Sequence, residues 1–268
     1  MRIARFTTGD DPKFAVIEGD ESDGTAELAV IAGDPLFTPL HRTGERLPLD
    51  GTADEPVRLL APVIPRSKVV GIGRNYADHI AEMGNDTPSA PVVFFKPNTS
   101  VVGPGDPIVR PPDSEIVHYE GELAIVIGRV AKQVPKDRAG EVIIGYTCAN
   151  DVSERVWQRE DGQWWRAKGS DTFCPLGPVL HTGLSVEEAG DLAVTTTLDG
   201  ATVQSGRTSQ MIFDIPSIIE FVTATITLLP GDVILTGTPS GVGPIAAGQR
   251  VEVTLERIGT LSNPVVQG

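Results

Sequence analysis

Apolar residues along the chain cluster in short runs separated by polar, glycine-rich turns, and this predicts many short strands. Near the start, Phe14-Ala15-Val16-Ile17 and Leu28-Ala29-Val30-Ile31 are two such runs. Leu60-Ala61-Pro62-Val63-Ile64-Pro65 carries two prolines in six residues, which breaks helix and strand alike. It marks a boundary between a small β unit, residues 1–62, and a larger unit, residues 63–268. Strands resume at Lys68-Val69-Val70-Gly71-Ile72-Gly73, Val92 to Phe95, Glu122 to Ile127, Val142 to Cys148, Ala193 to Leu198 and Val233-Ile234-Leu235. Two helices stand out. Tyr76 to Met83 reads as a short helix stopped by Gly84. Between Asp214 and Thr227, residues Ile215, Ile218, Ile219, Val222 and Ile226 share one face of a 3.6-residue period, with Asp214 as cap and Pro216 in the first turn. The turn-rich stretch Asn85 to Ala90 predicts a mobile loop.

The composition agrees with a β-rich α+β protein: 29 glycines and 22 prolines suit turns better than a helical bundle. A formal net charge of −14 argues against nucleic acid and anionic membrane as partners, since both need Lys and Arg to attract them. An anionic substrate would need a locally positive site. Cys148 and Cys174 are too few for a disulfide framework in 268 residues and read as buried thiols. The N-terminus shows no signal-peptide pattern and no run is long enough to span a bilayer, so the expected location is the cytoplasm.

The chemistry concentrates in Tyr119-Glu120-Gly121-Glu122-Leu123-Ala124-Ile125-Val126-Ile127. Residues two apart in a strand point to one face, so Glu120 and Glu122 project side by side. The apolar run behind them predicts a strand covered on both faces, where paired like charges demand a cation or protons. About thirty residues on, Asn150-Asp151 closes another apolar run. Convergence of Glu120, Glu122 and Asp151 would make an all-oxygen site for a hard cation, Mg²⁺ or Mn²⁺, with Ca²⁺ also compatible. His79 and Glu82, three apart on the short helix, share a face and form a candidate general-base pair. Lys168, in Arg166-Ala167-Lys168-Gly169, is placed to balance a developing oxyanion. The loop Thr236 to Gly243 offers backbone N–H groups to a carboxylate. Gly71-Ile72-Gly73 lacks the third glycine of a dinucleotide fingerprint.

Taken together, Gly73-Arg74-Asn75-Tyr76-Ala77-Asp78-His79, Phe94-Phe95-Lys96-Pro97, Glu120-Gly121-Glu122-Leu123-Ala124, Asn150-Asp151-Val152-Ser153, Arg166-Ala167-Lys168-Gly169, Asp171-Thr172-Phe173 and Leu235-Thr236-Gly237-Thr238-Pro239 resemble the fumarylacetoacetate hydrolase family. The likeness runs from about Val69 onward. It is strongest to bacterial 2-hydroxyhepta-2,4-diene-1,7-dioate isomerases, acylpyruvate hydrolases and oxaloacetate decarboxylases. It implies a mixed β-roll preceded by a small β domain, usually as a homodimer. It also implies a metal triad of Glu120, Glu122 and Asp151, a lid dyad of His79 and Glu82, and substrate contacts at Lys168, Arg74, Gln158 and Thr238. Val156-Trp157-Gln158 and Ser170 depart from the usual local pattern, which bears on the substrate's tail. The implied chemistry is an enolate of a small 2-oxo acid. Hydrolytic C–C cleavage of an acylpyruvate such as fumarylpyruvate is the first expectation, isomerisation or decarboxylation the second, and a non-catalytic, metal-stabilised binding protein a remote third.

Overall fold

A computed structural model of the chain describes residues 1–19, 24–49 and 56–268. Among these, strands dominate and build three sheets. The largest has twelve strands. Its main path runs His41–Pro48, Glu27–Ala32, Lys13–Glu18, Arg2–Thr7, Cys174–His181, Ile143–Asn150, Gly121–Ile127, Val233–Leu235, Val69–Gly73 and Val92–Lys96. Neighbours on this path are antiparallel except Val233–Leu235 beside Val69–Gly73, which run parallel. The N-terminal strands extend this sheet directly: Arg2 pairs with His181 and Ile3 with Leu180. A five-stranded sheet built around Ala193–Leu198, Arg250–Leu255 and Gly259–Gln267 packs against its middle. A three-stranded sheet joins Val117–Tyr119, Ser153–Glu154 and Gly243–Pro244.

The apolar run after Glu122 is buried along its whole length, as its pattern predicts. Leu123, Ile125 and Ile127 enter one core with Ile218, Ile219 and Val222, while Ala124 and Val126 enter a second with Leu176, Val233 and Leu235. Alternation thus sends neighbouring residues into two different cores. The helix Ile215–Thr225 is capped by the Asp214 side chain, which accepts from the Ser217 N–H at 2.9 Å. It ends two residues earlier than the apolar period predicts. Ile226 turns extended so that Leu228 can bridge Ala131. The short helix is Ala77–Glu82, and Gly84 leaves it with φ of 64°, the left-handed stop expected of that glycine. Arg166 to Gly169 lies within a helical turn, Trp165–Gly169, ahead of the strand Cys174–His181.

No described helix is long and apolar enough to cross a membrane. Both cysteines are free and buried, and burial pushes each thiol up to about 12.

Candidate active site

Gly121 begins the central strand, and its partner in the neighbouring strand is Asn150. That register brings Glu120 opposite Asp151. The Asp151 N–H donates to the Glu120 carbonyl at 2.8 Å, and the Glu120 N–H donates to Asn150 Oδ1 at 2.9 Å. Between the two glutamates, Gly121 faces the other sheet, where an added Cβ would lie 2.2 Å from Thr196 Oγ1. The Glu-Gly-Glu spacing therefore reflects both the pleat and a close sheet-to-sheet contact.

Glu120, Glu122 and Asp151 are all buried, and one carboxylate oxygen from each lies within 4.8 Å of the others. The donor set is all oxygen, buried and anionic, which fits a hard divalent cation. Protein cations share the cluster. Lys168 Nζ donates to Glu120 Oε2 at 2.8 Å and to Asp151 Oδ2 at 2.7 Å. Lys96 pairs with Asp151 from the other side. Arg155 Nη2 lies 2.6 Å from Glu120 Oε1, an ion pair without the alignment of a hydrogen bond.

These contacts divide the three acids. Burial alone would raise the Glu120 carboxyl, but Lys168 and Arg155 together hold it well below the usual carboxylate range. Glu122 goes the other way. Burial, then the charges of Asp151 and Glu120, push its carboxyl well above that range, and the Lys168 charge and the Gly237 N–H offset this only in part. Glu122 has no ion-pair partner among the described residues. Its uncompensated charge is what a dication would satisfy, so the residues present fit the metal.

The glycine-rich loop offers its N–H groups to carboxylates, as its composition predicts, but to the protein's own. Gly237 N–H donates to Glu122 at 2.7 Å. Gly241 N–H donates to both Glu82 oxygens, at 3.1 and 3.2 Å. An added Cβ at Gly241 would sit 2.1 Å from the Val203 carbonyl oxygen, so only glycine serves there. Glu82 in turn meets His79 Nδ1 at 3.3 Å, and His79 is buried.

His79, Glu120, Glu122 and Lys168 line one cavity of about 390 Å³, which also takes in Arg74, Gln158 and Thr238. Every sequence-predicted site residue except Asp151 and Glu82 is on its wall, and those two stand directly behind wall residues. Two of the expected substrate contacts are partly occupied. Thr238 Oγ1 donates to the Gly121 carbonyl and accepts from Gln204, and Gln158 Oε1 accepts from Arg155. Lys168, expected to face a developing oxyanion, bridges two of the triad carboxylates. Sequence reasoning assigned no role to Lys96, Arg155, Gln204 or Asn75. Lys96 ending an apolar run was the one local signal. The others depend on long-range pairing, such as Asn75, whose amide donates to the carbonyls of Thr236 and Phe213.

Residues 68–266 match the family described as fumarylacetoacetate (FAA) hydrolase C-terminal. The chain belongs to this family. Residues 1–62 match a second one, Rv2993c-like, N-terminal. The chain is 53% identical over 268 residues to Protein Rv2993c of Mycobacterium tuberculosis, covering 100% of this chain and 98% of that one. It is 43% identical over 219 residues to the human mitochondrial oxaloacetate tautomerase FAHD2A, covering 78% of this chain and 70% of that one. The crystal structure of 2-hydroxyhepta-2,4-diene-1,7-dioate isomerase from Mycobacterium marinum superposes with a TM-score of 0.89 at 48% identity, covering 100% of this chain and 98% of that one. The family relationship, the β-rich fold and the isomerase and tautomerase neighbours are thus established together.

Proposed function

We propose that this chain relocates a proton on a small 2-oxo acid, as a tautomerase or isomerase that requires Mg²⁺ or Mn²⁺ held by Glu120, Glu122 and Asp151. One observation carries the reading. The cavity offers one base and a cluster of positive charge, but no free nucleophile: the Thr238 hydroxyl is spent on internal hydrogen bonds, and Lys168 is bound by two carboxylates. Neither group is available for the covalent route. Proton transfer with charge stabilisation needs only what is there. The names of the human and M. marinum relatives point the same way.

The divalent cation would draw the 2-oxo acid into an otherwise acidic chain and lower the cost of negative charge on its 2-oxygen. The remaining work falls to side chains. Glu82, fixed by Gly241, accepts the Nδ1 proton's hydrogen bond and leaves Nε2 of His79 as the basic nitrogen. His79 removes a proton at C3 and returns it elsewhere on the substrate. Lys168 and Arg155 hold the Glu120 carboxyl low and add positive charge behind the substrate. Trp164, stacked edge-on against Phe94 at 5.6 Å, closes one wall against water. In this reading residues 63–268 carry the chemistry, residues 1–62 form an appended β unit, and two copies associate.

Hydrolysis of an acylpyruvate is the second reading, favoured by the same His79–Glu82 pair, which would activate water equally well. A single experiment separates them. The protein with Mg²⁺ or Mn²⁺ is given oxaloacetate, acetylpyruvate and fumarylpyruvate in D₂O and followed by NMR. Proton relocation appears as deuterium entering C3 and faster keto–enol exchange, without cleavage. Replacing His79 with Ala should slow it by ~10² while substrate still binds. Release of pyruvate from the acylpyruvates would decide for hydrolysis, and no metal-dependent change in any substrate would remove both readings.

A further inference from the structure

Gly71-Ile72-Gly73, which lacks the third glycine of a dinucleotide turn, beds two aromatic rings instead. Gly71 and Gly73 stand two apart on the strand Val69–Gly73 and so face the same way. A Cβ on Gly71 would run into the Phe94 ring, and one on Gly73 would lie 3.2 Å from Cζ3 of Trp164. Phe94 is the cross-strand partner of Gly71, and its ring folds back over that glycine. The two rings meet edge-on with centroids 5.6 Å apart, Phe94 buried and Trp164 on the cavity wall.

Both rings bear on Lys168. Trp164 precedes the helix Trp165–Gly169, and its carbonyl accepts from the Lys168 N–H at 2.9 Å. Residues four apart share a helix face, so Trp164 and Lys168 both turn toward Phe94. Lys168 Nζ lies over the Phe94 ring, 5.1 Å from its centroid, within range of a cation–π attraction. Two of the ammonium's N–H donors are spent on Glu120 and Asp151, and no further acceptor meets it among the described residues. Phe94 reaches this place by strand alternation. It stands two residues from Lys96 on the strand Val92–Lys96, and Lys96 pairs with Asp151, while Phe95 between them is exposed. One strand face thus brings a cation to Asp151 and a ring to Lys168.

We infer that Phe94, seated on Gly71 and braced by Trp164, is a positioning residue: the face of its ring holds the Lys168 ammonium on Glu120 and Asp151 while the substrate's proton is relocated. This rests on the proton-relocation reading above and adds to it a residue on which the reaction depends. The Lys168 stem is flexible, and its charge is felt by Glu122, which has no ion-pair partner among the described residues. An ammonium that swung to Glu122 would leave Glu120 and Asp151 less compensated and would occupy an oxygen the cation requires. The negative face of an aromatic ring favours the observed placement, because it attracts the ammonium on the side where no acceptor oxygen is present.

The test changes the charge of the ring face while keeping the ring's outline. Phenylalanines carrying one, two or three ring fluorines are placed at position 94 of the full chain. With Mg²⁺ present, kcat for deuterium entry into oxaloacetate should fall stepwise with each fluorine, to about tenfold at the third. KM should stay within about twofold, the pattern of a loss confined to the transition state, and Tm should not move. Phe94→Leu should fall at the bottom of the series. A kcat that ignores the fluorines, or that follows Tm, overturns the assignment and leaves Phe94 a packing role alone. A second readout needs neither turnover nor metal. In lysine-labelled protein the ring current of Phe94 should move the Lys168 side-chain methylene signals upfield, and Phe94→Leu should return them to ordinary values. Signals that are the same in both proteins also overturn the assignment. If the native chain moves deuterium into no 2-oxo acid, the proton-relocation reading fails, and the role of Phe94 in that reaction falls with it; the methylene signals then show separately whether the ring holds Lys168.

Discussion

Glu122 is the residue whose environment is least balanced. It sits beside two other carboxylates in a buried site, with the Gly237 N–H as its hydrogen-bond donor and no ion-pair partner of its own. Without metal its negative charge costs stability, and in the proposed function that charge serves as a metal ligand. Glu122→Gln therefore has two opposite effects. The metal-free protein should melt higher, by roughly 2–4 °C for each kcal/mol of relieved repulsion. The rise in Tm on adding Mg²⁺ or Mn²⁺ should be large for the native chain and collapse in the variant. Calorimetry with EDTA and with each ion measures both. A variant that melts lower without metal would contradict the charge account. His79 and Lys168 illustrate a different limit at this scale. Their residue types and spacing announce chemistry, but only the partners, Glu82 for one and the Glu120–Asp151 pair for the other, say what each side chain is committed to.

Among the elements, the helix Ile215–Thr225 was the most legible, because its apolar face repeats at the helical period and its cap precedes it. Ile218, Ile219 and Val222 bury there, each stabilising by about 1.5–3 kcal/mol. Asp214→Ala removes the cap and should cost ~1 kcal/mol in urea unfolding, with the m-value unchanged. The turn Leu229 to Asp232 carries a second test. The Asp232 side chain accepts from the Leu229 and Lys68 N–H groups and from Ser67, and pairs with Lys68 Nζ at 2.7 Å. Burial raises its carboxyl, but Lys68, Ser67 and the Leu229 N–H together hold it below the usual range. A depressed carboxyl stabilises above the unfolded pKa of about 3.9 and loses that contribution as pH falls through its folded value. Asp232→Asn should thus be less stable than the native chain at pH 7, with the gap closing in acid. A gap constant with pH would show that packing, not charge, is responsible. The short helix Trp165–Gly169 gave no signal at this scale, being too short for a period to register. Its close approach to Pro97, where a Cβ on Gly169 would lie 2.6 Å from Cδ, explains the glycine only after folding.

Over the whole molecule, continuity of the large sheet has a thermodynamic consequence. The strand Arg2–Thr7 hydrogen-bonds to Cys174–His181, so the first strands and the site-bearing strands share one ladder and one core. Unfolding should be a single cooperative event. Trp157, Trp164 and Trp165 all report on the segment from Arg155 to Gly169, where Trp164 lines the cavity, whereas far-UV circular dichroism reports on every strand. Coincident thermal curves from the two probes are expected. A circular-dichroism step that precedes the fluorescence change would instead mark residues 1–62 as an independently melting unit.

The amino-acid sequence by itself determined the β-rich class, the helix Ile215–Thr225, the central buried strand and the pairing of Glu120 with Glu122, because these follow from periods of two and 3.6 residues acting locally. It also carried the motifs that placed the chain in its family. Tertiary structure alone decided what Asp151 meets, since its approach to Glu120 depends on strand register across about thirty residues. It alone decided that Lys96, Arg155 and Lys168 close around the triad while Glu122 is left unpaired, and that Gly237 and Gly241 serve protein carboxylates. Charge balance in a buried site is a property of distances between distant segments, and no local pattern encodes those distances.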